Sequence, residues 1–256
     1  MRAPPAVSGP HLVRWVVREL DTVDSTQAEL GRLARAGAPE GMAVTALHQV
    51  AGRGRWSRSW WDTPGESLLA SILLRPPIPP SRAPQLTLVA VVAVVEALQA
   101  AAGVAARIRW PNDVMVAGRK LCGILAEASS GADGGLQHVL LGIGINVNQT
   151  AFPPELADRA TSLRLLAAAP QERAAVLASL LDALGRWYGV YLRAGLGPVR
   201  EAWRAASATL GERLAMPDGR AGVAVDLAED GSLVVRTDDG GLARVSSGEI
   251  ASAAAP

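Results

Sequence analysis

Residues 107–148 read RIRWPNDVMVAGRKLCGILAEASSGADGGLQHVLLGIGINVN. Four apolar runs lie in this stretch: Arg107 to Trp110, Val114 to Val116, Leu121 to Ala128 and Gln137 to Val147. Pro111, Gly118 and the segment Ser129 to Gly135 separate them, so they read as short strands joined by tight turns. In the last run, strand alternation puts Gly142, Gly144, Asn146 and Asn148 on one face and Ile143, Ile145 and Val147 on the other. The first face is bare of side chains until an amide appears. Either a flat ligand or a close-packed helix fits against it.

Upstream, Ala83 to Ala102 is apolar almost all round a helix, which places it against a sheet. Gly41 to His48 and Ser67 to Leu74 read as strands, and His11 to Leu20 as a partly buried one. A turn over Asp21 to Asp24 then leads into a helix from Ser25 or Thr26 to about Arg35, with Thr26 and Glu29 spaced as a capping box and Gly37 as the stop. Downstream, helices are expected over Gln171 to Ala194 and Val199 to Ser207. After Gly211 the texture changes to short strands cut by Pro217-Asp218-Gly219, Asp230-Gly231 and Asp239-Gly240-Gly241, the pattern of a small β-barrel. A boundary near Thr209 gives a main domain over 11–208 and a small one over 209–256.

Composition narrows the function. The 256 residues are 49% hydrophobic and 19% charged, enough apolar content for a folded core. With 25 basic against 24 acidic residues there is no basic excess to hold a nucleic-acid backbone or an anionic membrane, so an anion must be bound locally. The longest apolar run, Leu86 to Val95, is too short to span a bilayer, and MRAPPAVSGP is no signal peptide; the cytoplasm is the default compartment. Cys122 is the only cysteine, which excludes an internal disulfide and a multi-cysteine metal site. Of the basic residues all but Lys120 are arginine, and Asn112, Asn146 and Asn148 are the only asparagines. The single lysine falls in the same short region as Asn112.

Three groups of residues carry chemistry. Gln49-Val50-Ala51-Gly52-Arg53-Gly54-Arg55, with Arg58 beyond, combines backbone N–H groups freed by glycine with forked arginine donors, a combination suited to phosphate or carboxylate. No Lys-Ser/Thr follows, so it is not a Walker A loop; a solvated turn or an RGG-like segment has the same composition. Arg109-Trp110-Pro111-Asn112-Asp113 followed by Arg119-Lys120-Leu121-Cys122-Gly123 ends a strand at Pro111 and brings a carboxylate and an ammonium close across a turn. Taken singly, Asn-Asp is an ordinary turn pair and Trp110 an ordinary core residue. The glycine face of residues 142–148 is the third group.

Asp24-Ser25-Thr26-Gln27, Gln49 with GRGR, WPND with RKLCGIL, GIGIN and a terminal barrel ending Gly-Glu-Ile, in this order, resemble the biotin protein ligases (biotin–acetyl-CoA-carboxylase ligases) from about His11 to Ile250. The resemblance implies an α+β fold: a mixed β-sheet with packed helices, like class II aminoacyl-tRNA synthetases, plus a C-terminal SH3-like β-barrel. It implies a two-step ligase that joins biotin and ATP into biotinyl-5′-AMP and passes biotin to a lysine of a biotin carboxyl carrier domain. Lys120, Arg53 and Asp113 then take the catalytic positions. Ser25, Thr26, Gln27, Gln49, Arg53, Gly54, Arg55, Lys120 and Gly123 fall on the biotin positions, and Arg53, Arg55, Trp110, Asn112, Lys120 and Asn146 on the nucleotide positions. Mg²⁺ on the ATP phosphates is implied, with no dedicated metal cage in the sequence.

Several positions depart from the family pattern. Arg109 stands where lysine is usual, Trp56 and Ser57 replace the commoner pair after GRGR, and Gln27 stands where Asn is frequent. The tryptophan that packs on adenine has no sure counterpart, with Phe152 the candidate. Since about ten residues precede the first expected strand, a ligase without a DNA-binding domain or repressor activity is expected. Lipoate or octanoate transfer, a biotin sensor without ligase activity, and a nucleic-acid-binding protein are the rival readings.

Overall fold

The computed structural model describes residues 13–246 and 251–252; His11, Leu12 and the terminal Gly248-Glu249-Ile250 lie outside the described residues. The chain opens with β1 (Val16–Val23), α1 (Thr26–Arg35), β2 (Met42–Gln49) and β3 (Ser67–Leu74). Then come α2 (Gln85–Ala102) and the run β4 (Arg107–Arg109), β5 (Asp113–Val116), β6 (Arg119–Ser130) and β7 (Leu136–Asn146). Two short helices, α3 (Pro154–Ala157) and α4 (Leu163–Ala167), lead to α5 (Arg173–Ala194) and α6 (Gly197–Ala206). The seven strands form one sheet in the order β1-β2-β3-β7-β6-β5-β4. Only β1 and β2 run parallel, with α1 as their crossover; the other pairs are antiparallel, so the sheet is mixed.

One face of this sheet is closed by helices. Leu68, Ala70, Ile72, Ile124, Ile143 and Ile145 point into a core shared with α2, which α5 and α6 cover in turn. The stretch Pro80–Ala102 is long and apolar enough to cross a membrane, yet α2 is the central core helix, with twelve of its eighteen residues buried. The opposite face carries α1, over Val44, Leu73 and Leu140. Among the described residues, α1 is the one long helix packed on that face; the short α3 borders it only beside Lys120.

Two local expectations change. The first strand begins at Val16 and continues through Asp21 to Val23, where a turn was expected. It is the edge strand and mostly exposed, Val16 and Val17 included, so apolar content is a poor guide to its bounds. What fixes it is the parallel pairing from Val16↔Met42 to Val23↔Gln49. The capping box does not form either. Ser25 is the N-cap, Thr26 is the first helical residue, and Glu29 pairs with Arg32 and Arg18 instead.

The C-terminal part is a five-stranded antiparallel sheet, β8 (Arg213–Ala215), β9 (Ala221–Leu227), β10 (Leu233–Thr237), β11 (Leu242–Val245) and β12 (Ala251–Ser252), in the order β11-β10-β9-β8-β12. It is fastened to the first part by named bonds. Arg204 of α6 holds Asp226 of β9 through two hydrogen bonds of 2.6 and 2.9 Å, and Arg200 Nε donates to the Leu227 carbonyl. Gln85 Nε2 reaches the Asp230 carbonyl and Trp110 Nε1 the Gly231 carbonyl. Because the Arg204–Asp226 pair is partly solvated, it contributes only about 1 kcal/mol. Arg204→Ala is therefore expected to lower the melting temperature by about 2–4 °C, measured by calorimetry.

Candidate active site

The site begins with an irregularity between β5 and β6. Asp113 pairs with Gly123 and Val114 with Cys122, but Met115 pairs with Lys120, so Leu121 is an extra residue on β6. Without it, strict alternation would turn Lys120 to the same side as Cys122, into the core. The bulge lets two successive residues, Leu121 and Cys122, both be fully buried and turns Lys120 onto the face that carries α1, beside Gly123. The Lys120 backbone is pinned there: its N–H donates to the Arg159 carbonyl at 2.7 Å and its carbonyl accepts from Thr161 N at 2.9 Å. The Ala117-Gly118 turn, with both residues at positive φ, closes the β5–β6 hairpin. Lys120 Nζ then lies 2.7 Å from Asp113 Oδ1 and 5.7 Å from the centre of the Trp60 ring.

Beneath it lies a glycine floor. Gly123 of β6 and Gly144 of β7 are register partners, and the Trp60 indole lies on both. A Cβ at Gly144 would stand 2.5 Å from Trp60, and one at Gly123 2.9 Å from Trp60 and from the Lys120 stem. Gly142 serves a different neighbour: a Cβ there would stand 2.6 Å from Gln27 Oε1. The glycine face thus takes an aromatic ring at one end and a helix side chain at the other.

A buried polar network lines the α1 end. Gln49 Oε1 accepts from Thr26 N at 2.8 Å and from Thr26 Oγ1 at 3.0 Å, Thr26 Oγ1 lies 2.9 Å from Ser71 Oγ, and Ser71 Oγ donates to Gln27 Oε1 at 3.1 Å. Gln27 Nε2 donates to the Leu140 and Leu125 carbonyls. Thr26, Gln27, Gln49, Gly123, Gly142, Gly144, Trp60 and Lys120 enclose an inner cavity of about 60 Å³, room for a few water molecules. At the head of α1, the Arg32 guanidinium and then the Ser25 N–H hold the Asp24 carboxyl down to about 2.

The arginine and glycine loop crosses above this floor as a small hairpin, with Trp60 N bonded to the Gly52 carbonyl and Gly54 N to the Arg58 carbonyl. Arg55 Nη1 donates to Asn112 Oδ1 at 2.9 Å, and Asn112 Nδ2 donates to the Ile124 carbonyl. Arg53 is half-exposed, 3.7 Å from Glu127. Outside the loop a second cavity of about 660 Å³ is bordered by Arg55, Arg58, Arg109, Lys120 and Arg159 against Asp113 and Asp158. Its electrostatic character is that of an anion site. Trp61 and Phe152, 5.7 Å apart between ring centres, stand on its wall.

The structure therefore gathers Lys120, Asp113, Gly123, Thr26, Gln27, Gln49, Gly54, Arg55 and Asn112 in one cleft, with Arg53 on its rim. Three expected residues also have structural parts, and two of them, Trp110 and Asn146, line the outer cavity. Ser25 heads α1 and does not border either cavity. Trp110 is buried, with its N–H engaged by Gly231. The amide of Asn146, also buried, donates to the Thr161 and Lys120 carbonyls, so it holds the segment that pins Lys120. Trp60 and Ser71 were not singled out in the sequence. The signal for Trp60 was there, an aromatic residue just beyond a glycine-rich loop and a strand face with no side chains to cover it.

Comparison with known proteins agrees with this geometry. The family described as Biotin/lipoate A/B protein ligase matches residues 20–146, and Biotin protein ligase C terminal domain matches residues 210–251. The chain is 38% identical to the Bacillus spizizenii bifunctional ligase/repressor BirA over 91% of its own length and 72% of that protein. It is 38% identical to the Paracoccus denitrificans biotin–[acetyl-CoA-carboxylase] ligase, over 85% and 92% respectively. The Aquifex aeolicus biotin protein ligase solved in complex with biotin and ATP superimposes with a TM-score of 0.79 at 31% identity, covering 92% of this chain and 97% of that one. Fold and site thus define an enzyme of the biotin and lipoate protein ligase class. Within it, the chain belongs to the biotin protein ligase family.

Two expectations follow from the geometry. In Gly144→Ala the new methyl drives Trp60 off the floor, with a loss of about 1–3 kcal/mol in denaturant unfolding. The Asp24 carboxyl lies below its unfolded value of about 3.9, so its stabilisation is complete above about pH 4 and disappears as pH falls toward 2. Asp24→Asn should therefore be less stable than the parent at neutral pH and show a flatter acid dependence, read as urea midpoint against pH.

Proposed function

We propose that this chain forms biotinyl-5′-AMP from biotin and ATP and transfers the biotin to a specific lysine of a biotin carboxyl carrier domain. The observation that carries the reading is Lys120, the only lysine, set by the β6 bulge between a glycine floor, Trp60 and Asp113 where an inner pocket meets an arginine-lined cavity. In the first step a biotin carboxylate oxygen bonds to the α-phosphorus of ATP and pyrophosphate leaves. Two anions meet, so cations aimed at the developing charge stabilise the transition state. Lys120 at the junction of the cavities, with Arg53 and Arg55 from the loop, supplies them.

The neutral ureido head of biotin needs hydrogen bonds rather than charge, and the Thr26, Gln27, Gln49 and Ser71 network at the closed end of the inner cavity offers them. Ser25 stands at the head of the helix that carries Thr26, and its carbonyl accepts from Glu29 N in the first turn. The inner cavity is smaller than the ligand, so binding shifts Trp60 and the loop, which then screens the mixed anhydride from water. The large cavity takes the nucleotide, with Asn112 orienting Arg55, Asn146 holding the wall, and Trp61 and Phe152 as the aromatic surface. In the second step the acceptor amine bonds to the acyl carbon and AMP leaves, while Asp113 accepts the ammonium proton and orients the amine.

Among the described residues no group of three or more His, Cys, Asp or Glu could hold a metal. In this reading Mg²⁺ comes with the ATP phosphates, where it neutralises charge. The same reading assigns catalysis to residues 11–208 and a small SH3-like domain to 209–256. It makes the cytoplasm the compartment, as the free, buried Cys122 thiol suits.

Biotin-dependent exchange of labelled pyrophosphate into ATP by the purified protein tests the first step without an acceptor. Exchange with biotin is expected, and exchange with lipoate or octanoate in its place would move the chain to the other branch of the class. Lys120→Ala should lower the exchange rate at least about 100-fold. Asp113→Ala should lower transfer to a carrier domain about 100-fold while changing exchange by a few fold; equal losses in both half-reactions would remove Asp113 from the transfer step.

A further inference from the structure

The Asp62 side chain is 1% exposed, and its partner is His48, with Nδ1 2.9 Å from Asp62 Oδ2. The two residues sit at the two ends of the arginine and glycine loop: His48 just before Gln49 in β2, Asp62 just after Trp60 and Trp61. The entering strand is fixed by main-chain bonds, since Val50 N donates to the Val23 carbonyl and Ala51 N to the Asp24 carbonyl. Further along the returning strand the next tie is Gly65 N to the Leu47 carbonyl. Among the described residues, the stretch between Trp60 and Gly65 is tied to the rest of the fold by the Asp62 carboxylate and by Trp61 against Phe152.

We propose that His48 and Asp62 are positioning residues, a side-chain clasp at the base of the loop that holds Trp60 on the glycine floor and so sets how long the adenylate is retained. The retention part rests on the proposed function; the clasp itself does not. A buried carboxylate without its donor must regain water. For Asp62 the route to water is outward movement of residues 60–62, which lifts Trp60 from Gly123 and Gly144 and frees the loop above Lys120. Neither side chain borders the inner or the outer cavity, so the pair acts through Trp60 and the loop rather than on the reacting atoms.

The test compares the full chain with His48→Ala, Asp62→Ala and His48→Asn, the last because the Asn amide nitrogen occupies the place of imidazole Nδ1. Trypsin cleavage after Arg53, Arg55 and Arg58 is followed by mass spectrometry in the free protein, with cleavage after Arg220 and Arg244 as internal reference. Release of biotinyl-5′-AMP is followed by chase with unlabelled biotin and ATP. Both alanine variants are expected to be cut in the loop at least about fivefold faster at an unchanged reference rate, and to release adenylate about tenfold faster. His48→Asn should return both rates to within about twofold of the parent. Unchanged loop cleavage, equal acceleration at the reference sites, unchanged release, or failure of His48→Asn to restore would each overturn the clasp. If the parent protein forms no adenylate, the ligase reading fails instead, and the cleavage arm alone decides the clasp.

Discussion

One extra residue in β6 governs the position of the only lysine side chain in the sequence. Between Met115↔Lys120 and Val114↔Cys122 the strand carries Leu121 with no partner opposite, and the side-chain alternation reverses there. Leu121 and Cys122 are both completely buried, so the core fixes the reversal: undoing it would expose an apolar side chain and bury a charge together. The cost of a broken ladder is offset locally, because the main chain at Lys120 bonds to residues 159 and 161 of the segment after α3. Asn146 in turn holds Thr161. The place of one Nζ is thus determined by three stretches distant in sequence, which is how a long, flexible side chain acquires a defined location.

Unequal coverage of the sheet leaves the site open. α2, α5 and α6 close one face, while the other has α1 at one end only. A bare sheet face of ordinary residues would expose apolar side chains. Glycines at 123 and 144 avoid that and leave backbone for a flat group to approach, and Trp60 takes that position in this structure. The ring makes no hydrogen bond of its own, since its Nε1 is buried without a partner, and rests on backbone with Lys120 Nζ over its face. Such a ring is displaced by a flat ligand at little cost, whereas Gln27, hydrogen-bonded to two carbonyls over Gly142, is not.

Much of this architecture is legible in the sequence where periodicity is strong. β3 falls at Ser67–Leu74 as expected, the four strands β4 to β7 and α2 lie within a few residues of their expected bounds, and the two faces of residues 142–147 divide as alternation requires. Legibility fails where a long-range partner overrides a local pattern. Thr26 and Glu29 have capping-box spacing, but the Thr26 hydroxyl finds Gln49 and Ser71 from other strands. Asn146 and Trp110 border the outer cavity as a ligand group would, but that their donors also meet carbonyls 15 and 121 residues away is not legible locally. The pairing of Trp60 with Gly123 and Gly144 depends on the β6–β7 register, which no single segment contains.

The cations of the cleft differ in how firmly they are held, and that difference orders their parts in the proposed reaction. Lys120 is fixed at 2.7 Å from Asp113 on a pinned backbone, and Arg55 is tied to Asn112 and lies over the Trp56 ring. Charge already in place when the anions arrive requires little reorganisation, which is the condition for electrostatic catalysis. Arg53 is different: half-exposed and 3.7 Å from Glu127, it is in a weak surface pair that can be exchanged for a stronger anion. In the proposed reaction the fixed pair therefore marks where the phosphoryl group reacts, and the loose arginine suits the later task of following the loop onto the product. Asp113 connects the two steps. In the proposed reaction the Lys120 Nζ, staying in place, is shared between the carboxylate and the phosphate, which leaves Asp113 less compensated when a protonated amine needs an acceptor.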